Sequence, residues 1–397
     1  VMATVFQAVF SWAAPLMELI DGATASLSAM VAEALPPGAL SSLIVDGVIA
    51  GVGSVIIFLP QILILFLFII LLEDSGYLAR AAYLMDRAMR SAGLSGQSII
   101  PMISSFACAV PGIMATRVIP NRRDRIATIL AAPFMTCSAR LPVYALLIAA
   151  FVPATKVGFL NVQGLVLLGL YLFGIVMGIL TALLMRKTAL RGPKPPFALM
   201  LPEFRRPNLQ TVGIQLLGRA KVFLRRAGTV IFAVAVIIWA LAYFPRAEEL
   251  PAGIDDNTAG AIQMEQSWLG RAGKFVEPVF EPLGWDWRVS SAVIAGFPAR
   301  EVVIAVLGTV YAVGDDADEG TLSGRLRSAT WPDGRPVFTL PMVIGLLIFY
   351  ACCLQCAATL AIIRRETNTW RWPVFAWVYM TAIGYTGALV AFQLGSA

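Results

Sequence analysis

Apolar residues occupy this chain in long blocks rather than in the short periodic stripes of a soluble fold. The blocks cover 1–17, 45–72, 126–152, 162–185, 228–245, 339–363 and 372–394. About 20 apolar residues suffice to cross a bilayer as helix, and several blocks exceed that. Two further stretches, 98–119 and 290–313, are apolar but broken by proline and glycine. The pattern predicts an all-α, polytopic helical membrane protein of about seven or eight spans, with two broken segments.

Charge between the blocks orients them, because cytoplasmic flanks collect lysine and arginine. Stretch 18–44 has Glu18, Asp21 and Glu33 and no basic residue, and reads as an external loop. Stretch 186–226 has ten basic residues against the single acid Glu203 and reads as cytoplasmic. Its interleaved apolar residues suit an amphipathic surface helix. Loop 246–288, with eight acids and four bases, reads as external, as does 315–336 with five acids and three bases. Arg122, Arg123 and Arg125 read as cytoplasmic, and so do Arg364, Arg365 and Arg371. These assignments agree only if 98–119 and 290–313 each enter and leave on one side. A plain span at 290–313 is the alternative, and it would place Arg364 and Arg365 outside.

With that topology the chain divides into a partial first span and external loop (1–44), a first half (45–185), a basic amphipathic linker (186–227) and a second half (228–397). Each half reads as a span, a broken segment and two further spans, running in opposite directions. Inverted repeats of this kind carry their site at the repeat interface near the midplane. Thr136 to Leu141 (TCSARL) echoes Gln355 to Leu360 (QCAATL), a short match in support.

Composition narrows the chemistry. The chain has 397 residues, 58% hydrophobic and 14% charged, where soluble domains average about 25% charged. Histidine is absent, which removes imidazole ligands and bases. All five cysteines lie in apolar segments, against a secreted disulfide framework. There is no phosphate-binding G-x-x-x-x-G-K-[ST] loop and no signal peptide. Val1 falls inside an apolar block, so a fragment lacking N-terminal sequence is expected. The partner expected is the lipid bilayer; no nucleic acid is expected.

Four places carry candidate chemistry. Cys108 precedes Pro111 and Gly112, where a break would free carbonyls tolerated only inside protein or beside a water-filled cavity. Cys137 lies between Pro133 and Pro142, with Arg140 following at bilayer depth. Arg140 reads equally as a pathway residue, an ion-pair partner or a snorkelling side chain. Glu301, beside Arg300 in the second broken segment, is a carboxylate costly to bury without a partner, and reads as a cation ligand, proton relay or ion pair. Cys352, Cys353 and Cys356 share one span, and Cys356 matches Cys137 in the echo. Free cysteines are usually inert packing, and Met102 and Met114 are common core filler. Taken as ligands, Cys108, Cys137, Cys356 and Glu301 form a mixed sulfur and oxygen set able to hold Fe²⁺, Mn²⁺ or Zn²⁺. Cys352, Cys353, Met114, Arg140, Glu73 and Asp74 are secondary candidates.

Gly53 to Ile62 (GSVIIFLPQI), Leu72 to Ala82 (LEDSGYLARAA), Cys108 to Arg117 (CAVPGIMATR), Asn121 to Arg125 (NRRDR) and Cys137 to Tyr144 (CSARLPVY) together resemble the ferrous iron transport protein B (FeoB) family. Phe297 to Val302 (FPAREV), Arg364 to Thr367 (RRET) and Trp370 to Pro373 (WRWP) extend the resemblance over nearly the whole chain. It implies ferrous iron uptake at the bacterial inner membrane, with Fe²⁺ as transported substrate. It also implies two Gate-type segments at 98–119 and 290–313, and pore cysteines at Cys108, Cys137 and Cys356. The family carries a cytoplasmic G domain using GTP and Mg²⁺, which these residues lack. Small accessory Feo proteins and a homo-oligomer are further partners it implies. Gate-type breaks also resemble nucleoside transporters, so a permease for a nucleoside or other organic solute is the alternative.

Overall fold

A computed structural model describes residues 2–36, 38–57, 59–91, 93–106, 108–153, 155–157, 160–191, 207–246, 256–297, 300, 302–311, 319–331 and 333–396. The described fold is all-α apart from a two-residue antiparallel ladder, Lys156 with Asn161 and Val157 with Leu160, and an isolated bridge of Thr330 with Pro336. Among the described residues, five helical runs are long and apolar enough to cross a membrane: Ala39–Leu72, Arg122–Phe151, Val162–Lys187, Leu340–Thr367 and Arg371–Ser396. The chain divides into two compact units, residues 1–132 with 180–239, and 133–179 with 240–397.

Several boundaries differ from the sequence expectation. Block 1–17 and the acidic stretch after it are one helix of 33 residues, Met2–Ala34. Alanine, methionine and leucine continue past Glu18 and Asp21, and their helix propensity outweighs a few charges. The 228–245 block yields an apolar helix of only 15 residues, Thr229–Tyr243. It continues from Leu209–Phe223 through the wider turn Leu224–Gly228, so the end of the basic linker from Leu209 onward and the apolar block are one helical run. Loop 246–288 contains the helices Asp256–Gln266 and Trp268–Phe280, and loop 315–336 contains Glu319–Ser328.

In the first unit, the Asn121–Arg125 motif has a structural meaning. The Asn121 side chain accepts from the Arg123 amide at 2.9 Å and starts the helix Arg122–Ala131. Asp124, buried one turn in, pairs with Arg186 at 2.9 Å. The first broken segment consists of Ile99–Ser105 and Ala109–Ala115. A side-chain carbon at Gly112 would lie 2.8 Å from the Pro101 carbonyl and would collide with Ser105 Oγ. Eleven residues of straight helix would separate positions 101 and 112 by about 16 Å. The two half-helices therefore lie side by side.

The second unit holds the other broken segment, Trp287–Ala295 and Val302–Val310. Asp286, before the first half-helix, accepts a hydrogen bond from the Tyr311 hydroxyl, after the second, at 3.4 Å. A straight helix would hold those ends more than about 30 Å apart. Both broken segments thus double back, and the plain-span alternative for 290–313 does not hold. On Val162–Lys187, Leu165, Leu168, Leu172, Val176, Leu180 and Leu184 form an exposed apolar stripe. An apolar helix face left without protein cover suits lipid.

Gly112→Ala is expected to destabilise the protein by about 1–3 kcal/mol, because backbone lines the space the methyl would need. Gly213, where an added side-chain carbon would meet nothing within 4 Å, is the control. Unfolding in detergent reads both; a Gly112→Ala protein as stable as the Gly213→Ala protein would refute the close packing.

Candidate functional site

The spans Arg122–Phe151 and Leu340–Thr367 are both interrupted near their middles. In the first, helix gives way after Phe134 and resumes after Cys137, whose backbone is extended at φ −85° and ψ 163°. In the second, helix stops at Cys352 and resumes after Cys356, extended at φ −163° and ψ 105°. Cys108 occupies the same local position in the first broken segment, extended at φ −156° and ψ 135° before Ala109–Ala115. These three cysteines are half-buried and each sits where a helix restarts. Cys352 and Cys353 end a helix instead and are fully buried.

Each interruption frees carbonyls that lipid cannot satisfy. Guanidinium groups take them. Arg140 donates to the carbonyls of Pro133 at 2.9 Å, Phe134 at 3.1 Å and Met135 at 3.3 Å. Arg300 donates to Tyr350 at 2.8 Å, Cys353 at 2.6 Å and Gln355 at 3.1 Å. Arg140 is 1% and Arg300 4% exposed. Among the described residues neither meets a carboxylate. Arg140 is thus a carbonyl cap, not the ion-pair partner or snorkelling side chain the sequence left open. Arg300, which sequence reading set aside as Glu301's neighbour, is its counterpart. The available signal was a second arginine at bilayer depth.

Glycine lets a neighbouring helix reach each interruption. A side-chain carbon at Gly174 would lie 2.7 Å from the Phe134 carbonyl, and one at Gly384 would lie 3.2 Å from that of Phe349. Gly174 is midway along Val162–Lys187 and Gly384 midway along Arg371–Ser396, so the last span of each half carries the same device.

The second unit has several buried polar atoms without hydrogen-bond partners. Thr136 Oγ1, Tyr144 Oη, Ser290 Oγ, Tyr350 Oη and Gln355 Oε1 are buried and unpaired. Gln355 donates through Nε2 to the Val293 carbonyl at 3.1 Å, which ties the second interruption to the doubled-back segment. Tyr350 also borders an apolar cavity formed with Val143, Leu147, Val303 and Leu307. Sequence reading missed these unpaired groups, since isolated Thr, Ser, Tyr and Gln in apolar blocks carry no pattern of their own.

Among the described residues, no three of Cys, Asp and Glu come together as a metal cluster. Glu301 and the Glu73 side chain lie outside the described residues. Asp74 ends the helix Leu59–Asp74 and Met114 lies on Ala109–Ala115, both half-buried.

The family Gate, described as nucleoside recognition, matches residues 55–151 and 224–370. The family described as ferrous iron transport protein B C terminus matches 167–219. A protein named Fe(2+) transporter FeoB from Leptospira interrogans serovar copenhageni is 41% identical over 396 residues, covering 99% of this chain and 56% of the relative. One of the same name from Campylobacter jejuni is 36% identical, covering 98% and 61%. A Fe(2+) transport protein A/Fe(2+) transporter FeoB fusion protein from Porphyromonas gingivalis is 38% identical, covering 99% and 49%. The chain therefore spans about half the length of these curated relatives. No solved structure matches it significantly.

Burial raises the Asp286 carboxyl above the usual range, against the Val289 amide and Arg288, which favour its charged form. A carboxylate raised in the fold contributes stability that is present below the unfolded pKa and is lost as pH rises through the folded value. Asp286→Asn keeps an N-cap side chain while removing that loss. Its melting temperature is expected to gain on the unsubstituted protein from pH 4 to pH 8. A gap that widens toward acid instead would refute the assignment.

Proposed function

The chain belongs to the ferrous iron transport protein B family, as its membrane permease region, and on that premise we propose that it forms the path by which Fe²⁺ is taken up across the bacterial inner membrane. The observation that carries the reading is the shared placement of Cys108, Cys137 and Cys356, each half-buried on an extended residue where a helix restarts. A sulfur there can reach a passing ion without a helical turn covering it. Thiolates favour Fe²⁺, Mn²⁺ and Zn²⁺ over hard cations, and conduction needs binding weak enough to release.

Glu301 is the oxygen ligand of this proposal, with Cys352, Cys353, Met114, Glu73 and Asp74 as secondary residues. The two halves, 45–185 and 228–397, act as an inverted repeat. The repeated break, arginine cap and packed glycine of the spans 122–151 and 340–367 support that reading. GTP with Mg²⁺ on a cytoplasmic G domain supplies the energy in this proposal, and no residue of this chain is assigned to it. The P. gingivalis fusion supports a small transport protein A as accessory partner.

Cys108→Ser and Cys137→Ser are each expected to lower anaerobic ⁵⁵Fe²⁺ uptake at matched expression. Wild-type uptake in the double variant would remove the thiol path. Glu301→Gln is expected to lower uptake more than Glu73→Gln, and the reverse order would count against Glu301. With Zn²⁺, Mn²⁺ and uridine as competitors in proteoliposomes, metals alone are expected to compete. Competition by uridine and not by metals would favour a nucleoside cargo.

A further inference from the structure

We infer that Arg140 and Arg300 decide which cations the route accepts: each guanidinium occupies a cage of backbone carbonyls that would otherwise hold a hard cation, and leaves the adjacent cysteine as the exchangeable ligand. The inference rests on the Fe²⁺ permease reading and adds the reason other cations are refused.

Carbonyls freed where a membrane helix unwinds are the usual ligands of Na⁺ and K⁺ in transporters and channels. This chain has two such sets in one unit, each of three oxygens. They are Pro133, Phe134 and Met135, and Tyr350, Cys353 and Gln355. Both are filled by a tethered cation that has five N–H donors, no acceptor and no accessible neutral form. The set around Arg300 draws its oxygens from three residues across the whole interruption, as a coordinated ion would.

The cost of this arrangement argues against simple capping. The two arginines are buried within electrostatic range of each other and of Cys137 and Cys353. Two or more neutral donors, such as an asparagine and a serine together, would satisfy the same three carbonyls without burying like charges together. A fixed cation is required where the group to be displaced is itself a cation.

With both cages filled, each has a cysteine beside it in sequence, along with the unpaired oxygens Thr136 Oγ1 and Gln355 Oε1. Cys137 follows Met135 by two residues and Cys356 follows Gln355 directly, and both are half-buried. An ion beside two fixed positive charges must gain a strong bond to stay, which thiolate offers Fe²⁺ and not K⁺ or Ca²⁺. The arginines thus filter by occupation and by repulsion together.

The test uses the protein in liposomes carrying internal indicators for Fe²⁺, Ca²⁺ and K⁺. The unsubstituted protein is expected to admit Fe²⁺ and refuse the others. Arg140→Gln and Arg300→Gln are each expected to raise Ca²⁺ or K⁺ entry about tenfold or more, and Arg300→Lys to keep the refusal. Monodisperse elution confirms folding, and folded glutamine variants that refuse Ca²⁺ and K⁺ like the parent overturn the inference. If the glutamine variants do not fold, Arg300→Gly is extracted with millimolar guanidinium, K⁺, Ca²⁺ or urea. A dose-dependent rise in melting temperature with the cations and not with urea supports the cage. Equal rescue by urea, which has the shape without the charge, overturns it. Failure of the unsubstituted protein to carry Fe²⁺, with cation-specific rescue intact, overturns the permease reading and leaves the cages standing.

Discussion

A helix that stops inside a bilayer exposes carbonyls with no water to meet them, and each buried orphan costs about 1–3 kcal/mol. The two interrupted spans of this protein both depend on the same answer to that cost, a guanidinium that bonds three carbonyls at once. Arg140 closes the interruption of its own span. Arg300 reaches from the doubled-back segment to the span Leu340–Thr367, so it also fixes one element on the other. Only because those carbonyls are satisfied can Cys137 and Cys356 sit on extended backbone rather than within a helical turn.

Close approach is the second constraint. The doubled-back segments have half-helices of seven to nine residues, each too short to cross a bilayer alone. They hold together through contacts that exclude a side chain, such as Gly112 on Pro101 and Ser105. Gly174 and Gly384 do the same for the helices laid over the interruptions. Small residues at membrane helix crossings let dispersion and backbone contacts replace the hydrophobic drive that lipid removes.

These constraints connect fold to chemistry. A cysteine within a helix is covered by its own turn and behaves as packing, as Cys352 does in the last turn of Leu340–Cys352. The same residue on an extended stretch beside a restarting helix is half-open. Position relative to the interruption, rather than the number of cysteines, separates the three candidate ligands from the two buried ones. The unpaired hydroxyls of Thr136, Tyr144 and Tyr350, with Gln355 Oε1, make the surrounding interior more polar than its apolar composition implies.

Hydropathy alone determined the all-helical membrane class and the place of both broken segments, because the bilayer demands apolar length and Pro and Gly mark where helix fails; it read about seven or eight spans, of which five are long and apolar enough to cross among the described residues. It also singled out Cys108, Cys137 and Cys356, through their nearness to those breaks and the short echo between two spans. It misjudged 18–44, since a few acids between apolar blocks look like a loop while the intervening residues still favour helix. Only tertiary structure decided that 290–313 doubles back, because that turns on Asp286 meeting Tyr311, residues 25 apart whose pairing no local pattern encodes. Only tertiary structure gave the arginines their role. An arginine at bilayer depth announces a partner but does not name it, and carbonyls, present at every residue, leave no mark in a sequence.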